Sequence, residues 1–326
     1  MSALPNIPRT LSSRPSVSVV VPSYNHAQFV EKCVRSIIEQ TLQPLELVVI
    51  DDGSSDDSAR VIERTLKDCT FACEFVARQN RGLSATLNEG LHRSRGEYFA
   101  YLGSDDLWLP QFLSARVEIL VKRTDAVLAY GHAYSIDAGE RIIDCTTDWA
   151  AYVDGDARRM LLTTLAPLSP TVVYRRSAVE RYGWNEDAAL EDYELYLRLS
   201  ADGDFAFDPQ VLSAWRQHEA NVSSDPALMF RERIAAQQRA GQSMGLSAKE
   251  LERYKLLATF RSAQEFMRQG QKKRALELMR GSWRAAASAG EAVRMLAGLL
   301  TPNTLIKSRR TKRRQQAYAR YGSVQT

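Results

Sequence analysis

Over roughly its first hundred residues the chain alternates short β-branched runs with stretches whose apolar positions recur every three to four residues. That alternation confines it to a sheet whose strands are joined by helical crossovers, because parallel neighbours cannot be linked by a tight turn. The first run, Val17–Val21, is predicted to close at Pro22, which has no N–H to give a ladder. Phe29, Val30, Cys33, Val34, Ile37 and Ile38 then mark one buried helical stripe before a turn at Pro44. Glu46–Ile50 is nearly all apolar, as a strand covered on both faces must be. It runs into Asp51-Asp52-Gly53-Ser54-Ser55-Asp56, where Gly53 supplies a turn and Ser54 or Ser55 is expected to cap the helix carrying Val61, Ile62, Thr65 and Leu66. Further strands are predicted over Glu74–Ala77, Tyr98–Leu102, Ala126–Tyr134 and Thr171–Tyr174. Helices are predicted over Leu83–Arg93, from Pro110 to Lys122, and over Leu190–Ser200.

Past Asp225 no strand pattern appears. Leu251, Tyr254, Leu257, Leu276, Met279, Trp283, Val293, Leu296 and Leu300 keep helical spacings broken by Gly270 and Gly290. The expected class is therefore α/β, a mixed, mostly parallel sheet flanked by helices, with a C-terminal helical appendage. The divisions expected are a flexible N-terminus over 1–14, a main domain over 15–224, the appendage over 225–300 and a basic tail over 301–326.

Charge sets that tail apart. It holds Lys307, Arg309, Arg310, Lys312, Arg313, Arg314 and Arg320 and no acid, so the rest of the chain carries a formal −3 against an overall +4. The plain expectation is a solvated, disordered end. The functional one is attraction to an anionic membrane, each basic residue near the lipid adding about 1 kcal/mol. Nucleic acid is not an expected partner, since the tail has few aromatics to stack on bases and the body is slightly acidic. No apolar run approaches the roughly 20 residues that a spanning helix needs. The N-terminal residues lack the apolar core of a secretory signal, so a cytoplasmic location is expected, with peripheral contact at the cytosolic face of the membrane. Cys33, Cys69, Cys73 and Cys145 lack paired metal-ligand spacing and are expected to be reduced structural thiols.

Ligands of open parallel sheets bind outside the carboxyl ends of the strands. Asp51-Asp52 and Asp105-Asp106 both fall at such ends, so the fold brings two acidic pairs toward one crevice. Like charges gathered there call for a cation between them, and hard oxygen ligands suit Mg²⁺ or Mn²⁺. Asp56 and Asp57 are explained by turn and helix-cap chemistry.

Taken together, Ser18-Val-Val-Val-Pro-Ser-Tyr-Asn25, Ile50-Asp-Asp-Gly-Ser-Ser-Asp56, Asn80-Arg-Gly82 with Asn88, and Tyr101-Leu-Gly-Ser-Asp-Asp-Leu-Trp-Leu-Pro110 resemble family 2 glycosyltransferases of the GT-A, Rossmann-like fold. The resemblance is strong over residues 15–125 and weaker to 224. In that second stretch Leu190-Glu-Asp-Tyr-Glu-Leu-Tyr-Leu-Arg-Leu199 and Trp215-Arg-Gln-His-Glu-Ala-Asn-Val-Ser223 match two later motifs.

It implies that Pro22, Ser23, Tyr24 and Asn25 line a nucleotide pocket and that Asp52, with Asp51 beside it, accepts the N3–H of a uracil or thymine. A carboxylate suits that task because N3–H is a donor, where cytosine offers only an acceptor. Asn80, Gly82 and Asn88 would lie beside the nucleotide-sugar, with Ser104 and Asp105 near the ribose. Asp106 would be the chief metal ligand, with His218 and Asp105 as further candidates, and Arg216 would neutralise phosphate. Gly103 stands where many relatives carry another Asp. Asp192 would be the catalytic base and Glu191 its companion, although a Glu-Asp pair at a helix start is also favoured by the helix dipole alone.

The implied reaction is metal-assisted, inverting transfer of a sugar from a UDP- or dTDP-linked donor to a hydroxyl of a cell-envelope glycan or glycolipid. Two other accounts fit the pattern: a binding module that has lost catalysis, and a nucleotidyltransferase. The latter usually has a Gly-rich basic loop where this chain has Pro22-Ser-Tyr-Asn-His-Ala-Gln28.

Overall fold

The computed structural model describes residues 15–218, 221 and 225–325. Residues 1–14, expected to be flexible, lie outside the described residues, as do Glu219, Ala220, Val222 and Ser223 of the later motif.

Strands β1 (Val17–Ser23), β2 (Glu46–Asp51), β3 (Ala72–Ala77) and β4 (Tyr98–Tyr101) are parallel neighbours in the order β3-β2-β1-β4. Between them run α1 (Val30–Ile38), α2 (Ser58–Thr65) and α3 (Leu83–Arg93). The sheet then continues through residues that the sequence only partly signalled. These are β5 (Leu107–Trp108), helix α4 (Phe112–Lys122), β6 (Ala126–Ile136), β7 (Ile142–Cys145), helix α5 (Arg158–Leu162), β8 (Val173–Arg175), helices α6 (Arg176–Glu180) and α7 (Glu191–Leu199), and β9 (Asp204–Arg216). Antiparallel β8 sits between β4 and β6, β9 pairs parallel to β6, and β5 and β7 pair antiparallel to β9 and β6. The mixed sheet flanked by helices is as expected, but its pairings are divided equally between parallel and antiparallel, and β5, β7 and the 13-residue β9 were not read.

Pro22 does not close β1 as predicted; it stands within it, in register with Ile50. The reason lies in the two edges of the strand. Val20 O accepts from Leu102 N on the β4 side, whereas Ser23 O accepts from Asp52 N on the β2 side. Alternate residues of a parallel strand face alternate neighbours, so Pro22 turns its missing N–H past the end of β4, where no acceptor is lost.

The pleat divides β1 between two cores. Val17, Val19 and Val21 pack with Val34 and Ile37 of α1 on one face, and Val20 packs with Leu87 and Leu91 of α3 on the other. Both faces of the sheet are thus sealed, and the carboxyl ends of the strands are where polar residues collect.

After residue 225 the chain is helical: α8 (Pro226–Gly241), α9 (Ala248–Arg268), α10 (Lys272–Ser282), α11 (Ala289–Leu300) and α12 (Asn303–Tyr321). Asp225 caps α8 by accepting from Ala227 N and Leu228 N, and Ser247 and Glu250 form a capping box on α9. Phe260, Ala263 and Phe266 of α9 pack with Ala275 and Met279 of α10 and Met295 of α11. No helix among the described residues is long and apolar enough to cross a membrane.

The expectation of a disordered basic tail is corrected. Residues 303–321 form α12, which lies against β7. Ile142 N donates to Gly322 O at 3.0 Å and Val324 N to Glu140 O at 3.1 Å. Arg313 meets Asp144 at 3.3 Å and Arg320 meets Asp148 at 3.0 Å. Tyr321 and Val324 cover Leu107, Ile136 and Ile142, so apolar burial holds the segment and two of its charges, Arg313 and Arg320, find partners on the body. The four-thiol expectation is also corrected in part. Cys33 and Cys145 are buried and free, but Cys69 and Cys73 are joined as a disulfide in the turn leading into the exposed strand β3.

Candidate functional site

Strands β1, β2 and β4 are parallel and end on one edge, so the segments that follow them meet. Asn25 adopts a left-handed backbone with φ 55°, a conformation that asparagine tolerates. Its Oδ1 accepts from Ser55 N at 2.8 Å, and Ser54 Oγ accepts from Asn25 N at 2.8 Å. Ser58 Oγ accepts from His26 N at 2.9 Å. Ser54 and Ser55 therefore lace the β1 and β2 loops together and do not cap α2. Asp56 does have the turn role expected of it, accepting from Ser58 N at 3.0 Å and Ala27 N at 3.0 Å.

Both carboxylates after β2 are buried. Asp51 accepts from Ser54 N at 2.9 Å and Ser54 Oγ at 2.6 Å. Asp52 accepts from Arg81 N at 2.9 Å, Gly82 N at 2.8 Å and the Arg78 guanidinium. It thereby fixes the loop holding exposed Asn80, and Gly82, whose φ of 90° is open to glycine, begins the turn into α3. Pro22 and Ser23 are buried, with Ser23 Oγ lacking a hydrogen-bond partner, and Tyr24 is half exposed.

The densest cluster follows β4. Ser104 Oγ lies 2.8 Å from His26 Nδ1, and Asp105 Oδ1 lies 3.8 Å from the same nitrogen. On its other side Asp105 Oδ2 is 2.9 Å from His218 Nε2, with Asn221 Nδ2 donating at 3.4 Å. One ligating atom from each of His26, Asp105 and His218 falls within 4.8 Å of the others. His218 stacks on Phe29, whose other neighbour is the Arg216 guanidinium, 4.6 Å from the ring centroid. Burial works against the Asp105 charge, but the His218 hydrogen bond and the two imidazoles hold its carboxyl below the usual range. Burial, opposed by Asp105, keeps the His26 imidazole below its ordinary value.

Asp106, the expected chief metal ligand, is fixed from the β9 side. Its Oδ1 accepts from Arg216 N at 2.7 Å, and burial, followed by the Asp105 charge, pushes its carboxyl well above the ordinary range. The compact metal-competent trio contains Asp105 and His218 but not Asp106, and it includes His26, which sequence reasoning passed over. The signal was present: His26 follows the first strand at the edge where ligands of such sheets gather. A Cβ on Gly103 would stand 3.0 Å from Asp105 Oδ1 and 3.3 Å from Asp106 Oδ2, so the glycine gives these carboxylates room.

Two further expectations are corrected by the geometry. Arg216 does not face a phosphate. It is fully buried, donating from Nε to Asp105 O at 2.6 Å and from a terminal nitrogen to Asp137 O at 3.1 Å, and so it ties β9 to the acidic loop. Asn88 does not reach the nucleotide edge either. Its amide donates to Trp184 O at 2.9 Å and accepts from Trp184 N at 2.8 Å, anchoring the segment before α7.

Glu191 and Asp192 open α7, where Asp192 Oδ1 accepts from Tyr193 N at 2.6 Å. Burial raises Asp192 to about 6. Burial, then repulsion from Asp192, raises Glu191 to about 8. Their charges act on the buried Tyr101 hydroxyl at the end of β4, so the pair lies toward the same edge of the sheet. Two carboxyls near each other with values pushed apart give one ionised and one protonated group at neutral pH.

A family described as glycosyl transferase family 2 matches residues 18–183. An uncharacterized glycosyltransferase of Nostoc sp. is 28% identical over 169 residues, covering 51% of this chain and 52% of that protein. Chondroitin synthase of Escherichia coli is 28% identical over 215 residues, 66% of this chain and 31% of that protein. The chain thus spans about half, or less, of the length of these relatives. Among solved structures, the mannosyltransferase PcManGT from Pyrobaculum calidifontis, in complex with GDP-Man and Mn²⁺, superposes with a TM-score of 0.61 at 17% identity. That match covers 94% of this chain and 87% of the other. S. aureus TarS 1–349 in complex with UDP gives 0.57 at 15% identity, over 83% of this chain and 81% of the other. At these identities the likeness is one of fold.

Proposed function

Since this chain belongs to glycosyl transferase family 2, we propose that it transfers a sugar from a nucleotide-sugar to an acceptor hydroxyl by a single inverting displacement. The observation that carries this reading is the grouping of His26, Asp105 and His218 at the carboxyl edge of the sheet, with Asp192 toward the same edge. Polar groups gathered there could bind a diphosphate, and a separate carboxylate could take a proton.

In this reading Asp192, ionised above about pH 6, accepts the proton of the acceptor hydroxyl as that oxygen bonds to the sugar C1. The C1–O bond to the diphosphate breaks on the opposite face, and its electron pair leaves with the nucleoside diphosphate. Tyr24, Asn25 and the loop at Asn80 would flank the nucleotide. Asp52, with three donors on a carboxylate that offers roughly four acceptor sites, keeps one site for the N3–H of uracil or thymine. His26, Asp105 and His218 fit a divalent metal, and two imidazoles beside one carboxylate suit Mn²⁺ better than oxygen-seeking Mg²⁺. Such a metal would supply positive charge to the departing diphosphate. Asp106 would support this cluster from behind through Arg216.

Two nucleotide classes accompany the fold relatives, GDP-Man with PcManGT and UDP with TarS. A thermal-shift panel of UDP, dTDP, GDP and CDP, each with Mn²⁺ and with EDTA, therefore tests the donor. Ligand at 100 times its Kd should stabilise by about 2.7 kcal/mol. The expected result is a UDP or dTDP shift that needs Mn²⁺ and is lost in His218→Ala and His26→Ala. No shift with any nucleotide would overturn the transferase reading. For the acceptor, we propose a cell-envelope glycan or glycolipid met at the cytosolic face of the membrane. Val293, Leu296 and Leu300, exposed along one stripe of α11, support contact with lipid.

A further inference from the structure

Between the β7 and β9 side of the sheet and helices α9, α11 and α12 lies a cavity of about 1270 Å³. It opens onto the proposed reaction centre, since His218 and Asn221, the partners of Asp105, form part of its wall. Its far walls are basic: Arg268 comes from α9, Arg294 from α11, and Arg309, Arg310, Arg313 and Arg314 from α12. Among the described residues two carboxylates, Asp144 and Glu265, line the same space. Asp144 is taken by Arg313 at 3.3 Å, and Glu265 lies 3.8 Å from Arg233. Among the described residues Arg268, Arg294, Arg309 and Arg310 make no ion pair.

Four of the five arginines of α12 form two pairs four residues apart, Arg309 with Arg313 and Arg310 with Arg314, an arrangement of like charges that disfavours a helix unless something negative lies against it. Partial burial holds Arg314 below its ordinary value, with the neighbouring Arg310 adding to the effect. A cavity this large exceeds what one drug-sized ligand fills. It also continues into a second, of about 800 Å³, that shares Trp149, Glu265 and Arg268. The shape suits a chain, and guanidinium groups suit planar oxyanions.

Resting on the transferase reading above, we propose that this cavity is the acceptor site and that the acceptor is an anionic glycan chain bearing phosphate or carboxylate groups. The anionic groups lie along α9, α11 and α12, and the chain end carrying the attacking hydroxyl leaves the cavity past His218 and Asn221 to reach Asp192.

Trp149 and Trp215 line the cavity, so their fluorescence reports its occupation. Full-length protein is titrated in EDTA at low ionic strength with inorganic pyrophosphate, an oligogalacturonate tetramer and neutral maltotetraose. The two anions are expected to bind and to weaken as salt is raised. They are also expected to bind about tenfold or more weakly to Arg268→Gln/Arg294→Gln/Arg310→Gln, whose arginines make no ion pair among the described residues. The stronger of the two anions tells a phosphate-bearing from a uronate-bearing acceptor. Equal binding of maltotetraose, or anion affinities unchanged in the triple variant, overturns the proposal. So does capture of wild type by phosphatidylglycerol vesicles that the triple variant loses while neither soluble anion binds, since the arginines then serve lipid headgroups. The nucleotide thermal shift reads the donor edge separately. Its presence without anion discrimination sinks this inference alone, and its absence sinks the transferase reading on which it stands.

Discussion

At the scale of single residues, the Glu191–Asp192 pair makes the sharpest demand on the chemistry. Burial raises both carboxyls, to about 6 at Asp192 and, with repulsion from Asp192 added, to about 8 at Glu191, so the pair holds one proton around pH 7. A base must be deprotonated to act, so kcat/KM is expected to rise with pH through about 6. Asp192→Asn should lose about 10²- to 10⁴-fold in kcat, and with it that acid limb. Glu191→Gln, which copies the protonated neighbour, should keep activity at pH 7 and leave the Asp192 limb in place. The sign for stability runs the other way. A carboxyl whose folded value is raised takes up protons on folding, so its contribution to stability falls as pH rises through that value. Asp192→Asn at pH 8 should therefore melt no lower than wild type by calorimetry. A lower melting temperature there, together with a pH profile unchanged in shape, would remove Asp192 from the role of base.

Elements are held by close contacts whose tolerance can be measured. Helix α3 crosses β1 at Gly90, where an added Cβ would come within 2.5 Å of Val20 Cγ1 and 2.8 Å of Val20 Cγ2. Helix propensity alone would favour alanine by about 1 kcal/mol. The clash lies between a helix and a central strand, neither of which can give, so Gly90→Ala is expected to destabilise by about 1 to 3 kcal/mol in urea unfolding. The pair Gly90→Ala/Val20→Ala should recover part of the loss. A stabilised single variant would mean that α3 rides further from the sheet. The same scale explains why β9 escaped the sequence. Asp204–Arg216 contains Asp, Pro and Gln in place of a clean apolar alternation, and its long parallel pairing with β6 shifts register more than once. Tertiary pairing overrides its weak local pattern, and that strand delivers Arg216 and the start of the His218 segment to the acidic loop.

For the whole molecule, the helical region is more than an addition to the sheet. Glu194 of α7 is buried, accepting from Asn185 Nδ2 at 3.0 Å and Arg239 Nε of α8 at 2.8 Å, so α7 and the C-terminal helices are joined by a buried charge cluster. Apolar surface remains outside this arrangement: Val293 is 62%, Leu296 51% and Leu300 85% exposed. If that stripe meets lipid, Leu296→Glu/Leu300→Glu should co-sediment less with phosphatidylglycerol vesicles than wild type does and unfold at the same temperature. Equal recovery of the two proteins would assign the stripe elsewhere.

The local pattern of the chain was enough for the parallel half of the sheet, its crossover helices and the acidic pairs at strand ends. Those features follow from periodicity and from the rule that polar loops gather where parallel strands end. The tail was misread because seven cations speak for solvent in one dimension, whereas Tyr321, Val324, Asp144 and Asp148 give them a dock in three. The division of labour within the site was likewise decided by tertiary structure. Asp105 rather than Asp106 sits between two imidazoles, His26 joins from the first strand, Arg216 is turned inward and Asn88 is spent on Trp184. Sequence spacing fixes which residues arrive at an edge. Which of their atoms remain free depends on hydrogen bonds between segments as much as 116 residues apart, and only the folded chain makes those.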